Sequence, residues 1–117
     1  MKIDARKADD VVIVDFGGRL VAGDAVEALA EVVNELLAEG WKKILLNLSG
    51  VDFIDSIGLG ELVQSYKIAQ RFGAAVHLLQ PQDRVRKTLS LTRLLPLFPV
   101  HESEEEALAH LAAAEVQ

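Results

Sequence analysis

The alternation of strand and helix patterns predicts an α/β fold with a mixed, mostly parallel sheet of roughly four to five strands and about four helices. Three observations carry that reading. Aliphatic and β-branched runs recur at Val11–Phe16, Ile44–Leu48 and Ala75–Leu79, each near-continuously apolar, as a strand buried on both faces must be. The stretches after the first two runs carry apolar residues at helical spacing. With 117 residues, half of them apolar, residues 1–117 are expected to form a single domain that buries roughly two-thirds of its extended surface.

Taken in order, a short strand at Lys2–Arg6 is expected first, turning at Ala8-Asp9-Asp10 into the run VVIVDF at Val11–Phe16. Gly17-Gly18 then breaks the strand pattern. Asp24 reads as an N-cap, with Glu27 three residues later in the capping-box position. Val26, Leu29, Ala30, Val33, Leu36 and Leu37 form one helical face, and Glu27, Glu31, Asn34 and Glu35 the other. Gly40 suits the C′ position that ends such a helix. After Ile44–Leu48, Ser49-Gly50 is expected to turn the chain. A second helix starts near Ser56 and runs to Phe72, with Leu59, Leu62, Val63, Tyr66 and Ala69 inward and Gly73 as its stop. Ala75–Leu79 closes at Gln80-Pro81. Val85 and Leu89 mark a helix over 82–90, and Leu97–Val100 reads as a short edge strand because Pro96 and Pro99 are awkward inside a sheet. Ser103 and Glu106 form a capping box that opens a last helix, Glu104 to about Ala114, after which the chain is expected to fray. Strands alternating with helices imply right-handed crossovers.

Composition excludes several classes of function. Twelve Lys and Arg against eighteen Asp and Glu give a net charge of −6, the wrong sign for a general phosphate-backbone binder, so no nucleic-acid partner is expected. The absence of cysteine removes disulfides, thiolate metal sites and cysteine nucleophiles, in keeping with a reducing compartment. MKIDARKADD lacks the apolar core of a signal peptide. No run reaches the eighteen or so apolar residues that cross a bilayer. A cytoplasmic protein with no membrane partner is expected.

The most unusual stretch is Val51-Asp52-Phe53-Ile54-Asp55-Ser56-Ile57-Gly58-Leu59-Gly60. It joins a buried strand to a helix, which places it at the carboxyl edge of the sheet, where open α/β folds put ligands and partners. Ser56 falls at or beside the helix N-cap, near free backbone N–H groups. Gly58 and Gly60 fall in the first turn, where each weakens the helix by about 1 kcal/mol relative to Ala. Small residues leave the helix end bare and let another backbone approach. Two readings stay open on this chemistry alone: a cap with glycines that merely pack, or a docking surface.

At this stretch the sequence resembles the anti-anti-sigma factors of the STAS family (sulphate transporter and anti-sigma antagonist domain). The residues that carry the resemblance are Asn47-Leu48 and Val51-x-Phe53-Ile54-Asp55-Ser56-x-Gly58-Leu59-Gly60, supported by Gly18-Arg19-Leu20 and Gly73-Ala74. The order of elements matches the STAS-like fold across nearly the whole chain. The resemblance implies a partner switch without catalytic or cofactor-binding residues. It implies phosphorylation at Ser56, and a partner-binding surface of Asp55, Ser56, Ile57, Gly58, Leu59 and Gly60. The implied partners are an anti-sigma factor that is also a serine kinase, bound by the unphosphorylated protein, and a serine phosphatase that resets it. The protein itself is expected to be a monomer or weak homo-oligomer. A second reading is a STAS subunit of a larger signalling scaffold. Two departures stand out. Ile57 stands where many members have a second serine. Val21 stands where many carry an Asp, with Asp24 following a little later.

Other signals are weaker. Gly58-x-Gly60 lacks the third glycine of a dinucleotide fingerprint, Val63 standing there, and no Walker A lysine exists. Ser56 lacks the Gly-x-Ser-x-Gly elbow of a serine nucleophile. His77 alternates within a strand and reads as a packed or sheet-edge histidine. Glu106 and His110 lie four apart on the last helix, but with no third ligand in view they read as a solvated pair, and no metal site is assigned. Arg84, Arg86, Lys87 and Arg93 form the one basic cluster, read as a solvated helix face or as the border of the Ser56 surface. Thr88, Ser90 and Thr92 have no comparable context, and Ser103 is explained as a cap.

Overall fold

The computed structural model describes residues 1–113. The expected end of the last helix at Ala114 and the fraying beyond it lie outside the described residues. Five strands, β1 (Lys2–Ala8), β2 (Val11–Leu20), β3 (Lys43–Ile54), β4 (Ala75–Leu79) and β5 (Val100–His101), lie in chain order across one sheet. β1 pairs antiparallel with β2, and the remaining neighbours are parallel. Four α-helices accompany them: α1 (Asp24–Ala38), α2 (Ser56–Arg71), α3 (Asp83–Leu91) and α4 (Glu104–Ala113). The expected mixed, mostly parallel α/β sheet is the one observed.

Strand order that follows chain order has a consequence for layering. Successive crossovers of one hand, stepping in one direction, deposit their helices on one face. Leu29 and Val33 of α1, Leu59 and Leu62 of α2, and Val85 and Leu89 of α3 share one core with Val12, Val14, Ile44, Leu46, Val76 and Leu78 of the strands. The alternate strand residues Val11, Ile13, Leu45 and Leu79 face the other way and are covered by Ala107 and Leu111 of α4. Arg6 of β1 ties the start of α4 down, bridging Asp15 of β2 and Glu104.

Several sequence expectations are corrected. Gly17-Gly18 does not end the second strand, and Ser49-Gly50 does not turn the third. Both run on, paired from Gly17↔Gly50 to Leu20↔Ile54, with register shifts after Asp15 and Gly18. Each shift is a bulge that inserts an extra residue into β3, so its inward residues are spaced irregularly as Leu46, Leu48, Val51 and Ile54. That spacing disguises the strand. Gly50 is required there, since a Cβ would lie 2.5 Å from the Phe16 carbonyl oxygen. The N-cap of α1 is Gly23, at φ 105, with Asp24 the first helical residue. That left-handed backbone suits glycine, and Asp24 contributes its charge to the helix end instead. The end of α1 is as expected: Gly40 and Trp41 donate to the Leu37 and Leu36 carbonyls, a Schellman closure. The edge strand expected at Leu97–Val100 is a turn of 3-10 helix, Leu95–Leu97, followed by β5 at Val100–His101. Pro96 enters that first turn because its fixed φ suits it and no N–H is needed there.

Candidate functional site

The stretch that joins β3 to α2, expected at the carboxyl edge of the sheet, is positioned by the long β2–β3 pairing. Leu20 and Ile54, the last paired residues of the two strands, are both buried. The Asp55 N–H donates to the Leu20 carbonyl at 3.3 Å, and the helix begins at the next residue. Asp55, not Ser56, is the N-cap, with extended backbone at φ −98, ψ 179. Its Oδ1 accepts from the Gly58 N–H at 2.7 Å and its Oδ2 from the Ala22 N–H at 3.0 Å. One carboxylate thus caps α2 and holds the loop between β2 and α1 against it. These amides, Ala22 first and Gly58 next, hold the Asp55 carboxyl below the usual carboxylate range.

The anchored cap leaves Ser56 exposed at the first helical position. Beside it Ile57 is 54% exposed, an uncommon state for a large aliphatic side chain next to a helix end. Gly60, one turn on, is exposed and has open space around its Cα. Gly58 and Leu59 behave differently. Both are buried, Leu59 in the core and Gly58 against β2, where a Cβ would lie 2.2 Å from the Leu20 oxygen. They therefore set the height of the helix end on the sheet, and Ser56, Ile57 and Gly60 face outward. A phosphoryl group on Ser56 would sit at the positive end of α2 in open solvent.

Sequence reasoning missed two neighbours. Arg19 pairs with Phe53 across β2 and β3, and its guanidinium lies 5.1 Å from the Phe53 ring centroid. The pair adjoins the buried Leu20 and Ile54 at the same edge. Only the strand register, hidden by the bulges, brings it there. Asp24 remains exposed in the first turn of α1. Of the basic cluster, Arg86 is paired with Glu102, between β5 and α4, so that side chain is drawn toward the β5 edge. α3 itself is tied to β3 by the Gln82 side chain, which donates to the Ser49 carbonyl at 2.7 Å.

With this geometry in place, similarity to known proteins is informative. The STAS domain family matches residues 2–107. A Staphylococcus aureus anti-sigma-B factor antagonist is 30% identical over 105 residues, which cover 90% of this chain and 96% of that protein. A Thermotoga maritima crystal structure of a candidate anti-sigma factor antagonist superposes with a TM-score of 0.87 at 31% identity, covering 94% of each chain. The anti-sigma factor antagonist SpoIIAA, in its unphosphorylated form, shares the fold with a TM-score of 0.74 at 19% identity over 97% of this chain and all of that one. From the first strand to the start of the last helix the chain matches in sequence and architecture, and it belongs to the STAS domain family, which also holds the anti-sigma factor antagonists.

Proposed function

We propose that the protein is an anti-sigma factor antagonist that binds an anti-sigma serine kinase through the exposed start of α2, and that phosphorylation of Ser56 releases it. The observation that carries the reading is an exposed serine at the first position of a firmly capped helix, with an exposed isoleucine beside it. The named function of the Staphylococcus aureus relative supports the partner class. SpoIIAA, known in both phosphorylated and unphosphorylated forms, supports the modification.

The switch is electrostatic. Phosphate brings about −1.5 to −2 charge and three acceptor oxygens. In the free protein the helix N-terminus and bulk water stabilise it, so the fold keeps its shape. In the complex the same dianion must be desolvated beside the Asp55 carboxylate and against Ile57. A hundredfold loss of affinity requires about 2.7 kcal/mol, within reach of one misplaced dianion. A serine phosphatase would restore the bound state. Ser56→Ala is expected to keep kinase binding and abolish phosphate incorporation, while Ser56→Asp lowers affinity. Affinity capture from the native cell, with intact-mass measurement, identifies the kinase, and titration against it reads both variants. Tight binding by Ser56→Asp would refute the mechanism.

A further inference from the structure

On the opposite face of the sheet from α2, three histidines far apart in the chain converge. His77 of β4 points to the face that carries Leu79 and α4, and His101 of β5 is paired with Leu79 beside it. His110 comes from α4, which folds back over that face. His77 Nδ1 lies 2.9 Å from His101 Nε2, and His110 Nδ1 lies 3.5 Å from the same nitrogen. One nitrogen from each of the three rings lies within 4.8 Å of the other two.

We propose that His77, His101 and His110 form a binding site for a divalent transition-metal ion of the zinc class, which clamps α4 to the β4–β5 edge. The geometry favours a cation over a hydrogen-bonded cluster. A proton on one ring bridges one pair of nitrogens, whereas three ring nitrogens lie within 4.8 Å of one another. A metal ion accepts all three. Zinc–nitrogen bonds of about 2.0–2.1 Å at tetrahedral angles put ligand nitrogens roughly 3.3 Å apart; two of the three separations, 2.9 and 3.5 Å, bracket that value, and the third is within 4.8 Å. His77 and His101 are buried, 6% and 5% exposed, so their rings are held in place, whereas the exposed His110 can close onto an entering ion. Each ring keeps its proton on the outward nitrogen when the metal binds. Neutral imidazole is the form that ligates.

Three imidazoles leave the fourth tetrahedral position to water or an added ligand. All-imidazole donors suit zinc, nickel and copper over calcium or magnesium. Nothing in this site uses the Ser56 surface, so it stands or falls separately from the partner switch.

The test uses the full untagged chain, stripped of metal with a chelator and titrated calorimetrically with zinc chloride at neutral pH. One zinc per chain is expected, with a rise of several degrees in Tm at saturation. Cobalt(II) in its place should give the intense visible bands of a tetrahedral site. His110→Ala, at an exposed position, is expected to fold normally and to lose at least about tenfold in zinc affinity, while Glu105→Gln on the same helix leaves binding unchanged. His77→Ala is less decisive because it also opens the core. Absence of stoichiometric binding by the wild-type chain, or equal binding by His110→Ala, would overturn the proposal.

Discussion

Gly58 and Gly60 stand two residues apart in the same helical turn, yet the structure gives them opposite meanings. A methyl group at Gly58 would meet the Leu20 carbonyl oxygen at 2.2 Å, and that oxygen belongs to backbone already bonded to the Asp55 N–H. Gly58→Ala must therefore push α2 off the sheet and is expected to destabilise the protein by about 1–3 kcal/mol, as overpacking does. At Gly60 a methyl group meets nothing within 4 Å, so Gly60→Ala should gain up to about 1 kcal/mol from helix propensity. Urea titration of the two variants, read against wild type, separates them, and loss of stability in both would contradict the packing. If the start of α2 is a docking surface, Gly60→Ala should nonetheless weaken partner binding. Asp55 carries a prediction of its own. Its carboxyl accepts two backbone N–H groups, so it should titrate below its ordinary value of 3.8. A group whose native value is depressed contributes stability at neutral pH and loses it as pH falls through the native value. Carboxyl carbon shifts followed by NMR should show that low midpoint, with the Ala22 and Gly58 amides moving in step. Asp55→Asn should abolish the titration and remove that part of the acid sensitivity. The Asp55-Ser56 dipeptide was legible as a helix cap. The division of labour, with Asp55 capping and Ser56 left exposed, was not, because it depends on the Ala22 amide arriving from a loop 33 residues away.

Elements with one uninterrupted periodicity were legible in sequence, and those with mixed signals were not. α1 and β4 follow from their patterns because nothing disturbs the spacing. β2 and β3 were cut short in the sequence reading because two bulges change which residues point inward, and glycine reads as a stop when it is a point of close strand approach. β5 is only two residues long, too short for any period to register. Within α2 the inner face contains a second departure from pattern. Ser65 is 1% exposed, and its hydroxyl has no hydrogen-bond partner among the described residues. A buried hydroxyl that forgoes water without replacing it is unfavourable by about 1–3 kcal/mol. Ser65→Ala removes that penalty, improves helix propensity and leaves the volume nearly unchanged. It should raise stability by roughly 1 kcal/mol, seen as an increase in the urea midpoint with an unchanged slope. A fall in stability would mean that the hydroxyl is engaged after all.

The whole molecule is asymmetric: α1, α2 and α3 cover one face of the sheet, and α4 covers the other. One-handed crossovers that always step the same way leave the second face bare, and only a segment after the last strand can reach it. The last helix is legible in the sequence but the face it covers is not, since that depends on strand order. The histidine cluster was hidden for the same reason: Glu106 and His110 were visible as a pair, but their company from β4 and β5 appears only once the sheet is assembled. α4 is held by Ala107 and Leu111, both fully buried, and by Glu104, which shares Arg6 with Asp15. The exposed ion pairs contribute little, about 0–1 kcal/mol, so the apolar contact decides whether the helix stays docked. Leu111→Ala should therefore cost about 2–5 kcal/mol, in the range for deleting a buried leucine side chain. Because the second core is small and one-sided, the loss should concentrate locally. Hydrogen exchange is expected to speed up most across Glu104–Ala113 and at the α4-facing residues Ile13 and Leu45, and least in α1 and α2. The start of α2 lies on the far side of the sheet, so the partner binding proposed for the Ser56 surface should survive in the folded fraction of this variant. Uniform acceleration throughout α1 and α2 would show instead that both faces unfold as one unit.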